Sequence, residues 1–457
     1  MVAVVQSMAL RISELQQEVE MLRSRLQGPG PGNGLPPFVK PNRRKGPKPA
    51  KKVRRKREQA FTRKREEPDE EIPHAVEHCP DCGRALTRGW EHTRHQVIEI
   101  AQEPIRIIDH VLFRRRCGIC GKLHLPVLGA EDGVVGQHRV GPKLMSFIAT
   151  LCTDYRVPRE GVQGLLSSLY GLHLSVGEIT DVLYAVAKRG EPMVSSVLAE
   201  IRSAPHVHGD ETGWREDGIN GYLWSFSTPT ARYFHRDKSR GADVAKGILM
   251  GEWRQEDGSI RKEECVPFSG VLICDFLSSY SWYPGPIQRC WDHLSRELKD
   301  LKEGHAEDAA VVEWVGSVFK VYERAKKIAA RSYPEQTRRE WRCKLVAELL
   351  ALAKPYLADE NAPQHTLAAR IERFQAELLT FVQYAGVPSG NNPAERALRP
   401  TVIARKISGG TRSEKGSRTM SILRTLFGTW ALRGRDTLQA CMELLIGVSA
   451  PVPAAPT

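Results

Sequence analysis

No apolar run in this 457-residue chain approaches the length needed to cross a bilayer. Leu444–Val448 soon meets Pro451 and Pro453, and the apolar positions of the first 26 residues are interrupted by Ser7, Arg11 and Glu14. A secretory leader is lacking as well, so membrane and secreted classes are set aside and a cytoplasmic protein is expected. General excess charge is also missing. The 67 basic and 54 acidic residues leave +13, yet Lys40–Arg65 alone carries 14 Lys or Arg against one acid, Glu58, and the remainder balances. A polyanion is therefore indicated by one concentrated segment and not by overall basicity, and nucleic acid is the partner expected. What is present is ordinary globular composition, 41% hydrophobic and 7% aromatic, with material for more than one core and a length that suggests about three domains.

Val5, Met8, Ile12, Leu15, Val19, Leu22 and Leu26 alternate at steps of three and four, the pattern of a coiled-coil seam. Three heptads are marginal alone, so this zipper is expected to act beside another contact in a homo-oligomer. Gly28–Pro37 is rich in helix and strand breakers and reads as a linker. The basic segment after it, with Lys51, Lys52, Arg54 and Arg55 at its centre, has almost nothing to bury and is expected to order only on phosphate.

Cys79-Pro-Asp-Cys82-Gly83 and Cys117-Gly-Ile-Cys120-Gly121 are matched CxxCG knuckles. Two intervening residues let both sulfurs of a knuckle reach one tetrahedral ion, so one structural Zn²⁺ on Cys79, Cys82, Cys117 and Cys120 is expected in preference to disulfides. Between the knuckles, Val97–Ile100 and Ile105–Phe113 read as strands. The other cysteines (152, 265, 274, 290, 343 and 441) are expected as buried free thiols. Helical patterns follow over Lys143–Cys152, Pro158–Tyr170 and Ser175–Lys188, with Gly171 ending the second and Ser175 and Glu178 forming a capping box on the third. This segment fits a helix-turn-helix and a supporting bundle equally well.

Beyond Pro205 the pattern turns to short strands. His206–Asp210 leads in, Gly221–Ser227 and Ala231–His235 form a hairpin around Thr228-Pro229, and Ser239–Met250 is helical. Val271–Cys274 reads as a buried strand ending directly on Asp275, a position desolvated enough for metal yet open to substrate. From Leu294 to Val387 the pattern is helical, and the stripes Val311, Val315, Val318, Tyr322 and Leu367, Ile371, Phe374, Leu378, Phe381 read as core. In Asn391-Asn392-Pro393-Ala394-Glu395-Arg396, Asn392 reads as N-cap, Pro393 as the first helical residue and Glu395 as the third, where a Glu often merely completes a cap. Between Arg396 and Arg435 lie ten Lys or Arg and one acid, Glu414, a basic stripe suited to a phosphate backbone. Arg396, Arg399, Arg405, Lys406 and Arg412 are its leading candidates for DNA contact.

The order of two CxxC pairs, Asp210-Glu-Thr-Gly-Trp214, a strand ending on Asp275, Cys290-Trp-Asp-His293 and Asn391-Asn-Pro-Ala-Glu-Arg-Ala-Leu-Arg-Pro400 resembles the IS66 family of bacterial insertion-sequence transposases, from about His74 to Leu445. Gly390 stands where an Asp often precedes the Asn pair. The resemblance implies an α+β multidomain chain with an RNase H-like catalytic core, a DDE triad on Asp210, Asp275 and Glu395, and support from the C-x-x-H pair Cys290 and His293. It also implies two Mg²⁺ or Mn²⁺ ions, cleavage of element ends, and joining of 3′-hydroxyl ends to target DNA. Small accessory transposition proteins and a place in the bacterial nucleoid belong to the same expectation.

The expected layout is a coiled coil at 1–27, linker and basic arm at 28–73, a zinc-ribbon-like module at 74–130 and the three-helix segment at 131–200. A core at 201–293 and 391–446 is interrupted by a helical insertion at 294–390, and a tail occupies 447–457. Two rivals remain. His206-x-His208-x-Asp210-Glu211 is similar to the signature of binuclear metallohydrolases. A zinc-containing DNA-binding regulator, or an inactive transposase remnant, would need no chemistry at all.

Overall fold

The computed structural model describes residues 138–447 apart from residue 256, with scattered positions between residues 84 and 136. The zipper, linker, basic arm, the strand at Val97–Ile100, all four knuckle cysteines and the tail beyond residue 447 lie outside the described residues. The chain divides into two units, Met1–Ile100 and Ala101–Thr457, and the fold below is that of the second.

Strands β1 (Arg115–Arg116) and β2 (Leu123–His124) pair antiparallel. The strand expected over Ile105–Phe113 is not formed at the described positions 107–113, where Ile107, Val111 and Phe113 are exposed. An apolar run becomes a strand only with a ladder partner, and none faces it among the described residues. Helices α1 (Pro142–Thr153), α2 (Arg159–Tyr170) and α3 (Val176–Ser203) follow the expected pattern. Gly171 closes α2 at φ +63°, and Ser175 and Glu178 form the reciprocal capping box at 3.1 and 2.8 Å. Helix α3 continues well past Lys188, through Pro192, because Val197 and Ile201 prolong its buried face onto the sheet.

Strands β3 (His206–Glu216), β4 (Ile219–Ser227), β5 (Arg232–Asp237), β8 (Val271–Cys274) and β9 (Ile287–Arg289) build a five-stranded sheet in the order β5-β4-β3-β8-β9. The first three are antiparallel neighbours, whereas β3, β8 and β9 run parallel. Asp217 and Gly218, both at positive φ, make the two-residue turn from β3 to β4. Helix α4 (Ala242–Met250) lies between β5 and the small antiparallel pair β6 (Glu252–Arg254) and β7 (Ile260–Lys262).

Side chains alternate along each strand, which divides the sheet into two faces. Val207, Trp224, Phe226, Leu272 and Cys274 pack with Val197 and Ile201 of α3 and Ile248 and Leu249 of α4. On the other face, Trp214, Leu223 and Phe234 meet Ala397 and Leu398 of α10 (Asn392–Ser408). Val271 and Ile273 join the core of a helical layer made from α5 (Trp291–Gly304), α6 (Ala309–Ala329), α7 (Glu335–Ala353), α8 (His365–Leu378) and α9 (Thr380–Gln383). Both helical stripes read as core are buried in it.

A further core joins α1–α3 to α11 (Glu414–Leu432) and α12 (Thr437–Ile446), through Met145, Ile148, Leu166, Ile179 and Val186 against Leu426, Phe427, Trp430 and Leu445. Helices α3 and α11 approach closely at Gly190, where a Cβ would come within 2.3 Å of Leu426 Cδ1. The three-helix segment is thus part of a bundle closed by the C-terminal helices. Of the six cysteines expected to be buried, Cys274, Cys290 and Cys441 are, Cys152 and Cys265 are half-buried, and Cys343 is exposed on α7. Its side chain lies on the side of α7 opposite Leu345 and Leu349, which are buried in the helical core.

Candidate functional site

His208 of β3 lies opposite Ile273 of β8 in the parallel ladder. Asp210, two residues past His208, and Asp275, two past Ile273, therefore emerge from neighbouring strands on the same side of the sheet. That is the side covered by α10, because Trp214, at the same parity of β3, packs on Ala397 and Leu398. Glu395 stands in the first turn of α10. Burial, reinforced by the charges of Glu211, Asp275 and Glu395, pushes the Asp210 carboxyl up to about 8. The three acids thus share one electrostatic environment.

Each acid is held by its own surroundings. Asp210 Oδ1 accepts the Glu211 N–H at 2.9 Å, and Asp275 Oδ1 accepts the Leu277 N–H at 2.9 Å. Behind Asp275 sits Arg289, fully buried, which donates to the Asp275 carbonyl at 2.8 Å, the Leu277 carbonyl at 3.1 Å and Ser281 Oγ at 3.0 Å, and pairs with Glu377 of α8 at 2.6 Å. Glu395 Oε1 receives Arg296 Nη2 at 3.1 Å, with His293 Nδ1 at 3.8 Å. On the opposite side of β3, Glu211 is buried between Arg240, at 2.7 Å, and the Tyr280 hydroxyl, which donates at 2.8 Å.

The helix carrying Glu395 begins one residue earlier than its pattern implies. Asn391 is the N-cap, Asn392 and Pro393 are the first two helical residues, and Glu395 is the fourth. Asn391 makes no side-chain cap bond. It is fully buried, with Nδ2 donating to the Gly209 carbonyl at 2.8 Å and Oδ1 3.0 Å from His208 Nδ1. Because the amide nitrogen is committed to a carbonyl, Oδ1 is the acceptor and His208 carries its proton on Nδ1. Burial pushes the His208 ring down to about 4, which keeps it neutral and its donor in place. The Asn391 N–H in turn donates to Cys290 Sγ at 3.1 Å. One residue, through its side chain and its backbone N–H, thus ties the strand of Asp210, the start of α5 and the helix of Glu395 together. Asn391→Ala is expected to lower the unfolding free energy by about 2–4 kcal/mol, since it orphans two buried groups; urea denaturation measures it.

His208, read as a metallohydrolase ligand, is thereby committed to Asn391. Cys290 and His293 do meet Glu395: the sulfur, a ring nitrogen and a carboxylate oxygen all lie within 4.8 Å of one another. The basic stripe divides. Arg396, Arg399, Lys406 and Arg412 are exposed, whereas Arg405 turns inward to the Gly213 carbonyl and Thr212 Oγ1. Arg418 pairs with Glu191, Arg433 with Glu200 and Arg435 with Glu443. Lys51, Lys52, Arg54, Arg55 and the four knuckle cysteines lie outside the described residues.

The family model described as "Transposase IS66 family" matches residues 137–419, more than half of the chain and the whole of this acid cluster. The chain belongs to that family. Among curated proteins, this IS66 transposase-family chain is 25% identical to the uncharacterized protein y4qI of Sinorhizobium fredii over 395 residues, 79% of this chain and 69% of that protein. It is 24% identical to the uncharacterized protein y4jD of the same organism over 383 residues, 78% of this chain and 72% of that one. A third, y4jO, is 32% identical over 159 residues, 35% of this chain and 47% of the relative. Among the described residues of the IS66-family chain, no helix is long and apolar enough to cross a membrane.

Arg289, Asn391 and Tyr280 were not candidates from sequence, and Glu211 was one only as part of the metallohydrolase-like signature. Asn391 stood inside a quoted motif but was read only as the neighbour of a cap, and Arg289 carries no periodic signal. The raised carboxyl of Asp210 has a thermodynamic consequence. Its folded pKa lies above the ordinary 3.8, so without metal the folded state holds a proton that the unfolded chain releases. Metal-free protein is expected to lose stability as pH rises from about 4 towards 8, by up to about 1.4 kcal/mol per unit from this group. Thermal melts of wild type against Asp210→Asn check this, the variant giving the flatter profile.

Proposed function

We propose that this chain is a DDE transposase that cleaves DNA at the ends of an insertion sequence and joins the freed 3′-hydroxyls to target DNA. The observation carrying the reading is the pairing of Asp210 and Asp275 on one side of adjacent parallel strands, with Glu395 charged against them from α10. The sheet order, three antiparallel strands continued by two parallel ones, supports an RNase H-like core with the α5–α9 layer inserted before the last acidic helix.

Asp210, Asp275 and Glu395 offer hard oxygen donors whose mutual repulsion a pair of divalent cations relieves, which fits Mg²⁺ or Mn²⁺. Bound there, the ions would supply activation of the attacking oxygen and charge stabilisation of the leaving one. The residues do the rest. Asp210 and Asp275 are aimed by their strands, and Arg289 fixes the turn that presents Asp275. Arg296 restrains Glu395, with Cys290 and His293 of α5 beside it. Exposed Arg396, Arg399, Lys406 and Arg412, with Lys51, Lys52, Arg54 and Arg55 of the arm, would carry the phosphate backbone. In the first step water adds to the end phosphate and the 3′-oxygen leaves as a hydroxyl. In the second, that hydroxyl attacks a target phosphate and a target 3′-oxygen leaves, so bond energy is conserved without a nucleotide cofactor.

Structural zinc on Cys79, Cys82, Cys117 and Cys120, oligomerisation through the zipper, recruitment of small accessory proteins and a location on the nucleoid belong to the same proposal. The test is incubation of the full chain with DNA bearing the element ends, with and without Mg²⁺. Mg²⁺-dependent nicking at the ends followed by strand transfer is expected. Binding without nicking overturns the reading in favour of a regulator.

A further inference from the structure

We propose that Cys290, His293 and Glu395 form a binding site for a thiophilic divalent cation, zinc above all, and that this site shares Glu395 with the acid cluster. Occupancy by zinc then withdraws Glu395 from the Mg²⁺-dependent reaction. The inhibitory half of the inference rests on the transposase reading; the site itself does not.

Four observations meet here. Cys290 is the N-cap of α5 and His293 lies in its first turn, so both donors point towards the facing first turn of α10, where Glu395 stands. The sulfur, a ring nitrogen and a carboxylate oxygen lie within 4.8 Å of one another, against edges of roughly 3.3–3.8 Å in a tetrahedral zinc shell, so modest side-chain rotation closes it. His293 Nδ1 is buried and has no hydrogen-bond partner, an orphan that a metal would satisfy. Cys290 Sγ accepts the Asn391 backbone N–H at 3.1 Å. That N–H can stay in place when a cation replaces the thiol proton.

Metal binding exchanges the thiol proton for the cation: the S–H bond breaks, the sulfur lone pair enters the metal–sulfur bond, and the proton leaves to solvent. Asp292 Oδ2, 3.9 Å from the sulfur, is the carboxylate along which it can depart. A set of one sulfur, one imidazole nitrogen and one carboxylate oxygen selects zinc and leaves a fourth position for water. Mg²⁺ refuses thiolate and demands oxygen, so it does not compete for this set. Zinc and magnesium therefore draw Glu395 in different directions.

The experiment equilibrates full-length wild type, Cys290→Ser and His293→Ala with chelator-buffered zinc, then counts bound zinc per chain by elemental mass spectrometry. Each variant is expected to hold one zinc fewer than wild type, a difference that zinc on other cysteines does not alter. Should Cys290→Ser fail to fold, His293→Ala gives the reading, because its side chain is 32% exposed. In parallel, nicking at fixed Mg²⁺ is titrated with zinc and compared, within each protein, with its own zinc-free rate. The zinc concentration for half-inhibition is expected to rise at least ~10-fold in His293→Ala. Equal zinc content in wild type and variants overturns the site even where nicking is normal. A one-zinc difference with no nicking in any protein upholds the site and sinks the transposase reading instead.

Discussion

Asp210→Asn, Asp275→Asn and Glu395→Gln are each expected to slow DNA-end cleavage by about 10³-fold or more while leaving DNA binding within a few-fold of wild type. Each substitution removes a negative oxygen donor without changing side-chain volume, so the loss falls on cation binding and on the charge of the reacting phosphate. A metal clamp is worth several kcal/mol in the transition state, and about 1.4 kcal/mol is a factor of ten. On the proposed metal-centre reading the three carboxylates act as one unit, so a double variant should be little slower than either single one. Single-turnover cleavage of end-bearing DNA, with a gel-shift titration of the same duplex, separates the two quantities. Multiplicative losses, or loss of binding alone, would mean that the acids do not share a metal centre. Asp210→Asn should also raise the melting temperature of metal-free protein near pH 8, because it removes a carboxylate that is buried and, besides, crowded by Glu211, Asp275 and Glu395. Activity lost with stability gained is hard to reconcile with a merely structural acid.

The second large effect concerns Arg289. Its guanidinium is fully buried, lies 4.7 Å from the Phe374 ring centre, pairs with Glu377 and holds two carbonyls of the turn after β8. Arg289→Met is expected to cost about 3–5 kcal/mol, because Glu377 and the Asp275 and Leu277 carbonyls lose their partner together. Arg289→Lys should recover little of it, since one ammonium cannot span the fork that the guanidinium fills. Urea denaturation of the three proteins measures both. Recovery by Lys would mean that charge alone, and not the planar fork, fixes the turn of Asp275.

Much of this architecture could be read before the structure because its signals are local. The capping box at Ser175, the ending glycine at 171, the hairpin around Thr228-Pro229 and the buried stripes of α6 and α8 each depend on residues within a few positions of one another. The strand ending on Asp275 was equally plain, since Val271–Cys274 is buried throughout. What escaped depends on partners far along the chain. Helix α3 runs through Pro192 because the sheet rewards its last turns, and residues 107–113 stay out of a strand although their composition favours one. Asn391 looked like the neighbour of an N-cap, and only the arrival of Gly209 and His208 from β3, more than 180 residues earlier, makes it a buried tie. Arg405 looked like a DNA ligand by the same local logic, until the Gly213 carbonyl turned it inward. The acids were legible as candidates; the scaffolding that aims them was not.

The bundle that joins α1–α3 to α11 and α12 also sets a timetable. Its earliest buried residue is Val140 and its latest is Leu445, and Glu395 is itself among the last residues brought to the sheet. At ribosomal speeds of about 5–20 residues per second, the early helices wait tens of seconds for the segment that covers them. A nascent chain therefore has no Glu395 beside Asp210 and Asp275 until residue 395 has been made, and a gene truncated before α11 encodes helices with nothing to close them.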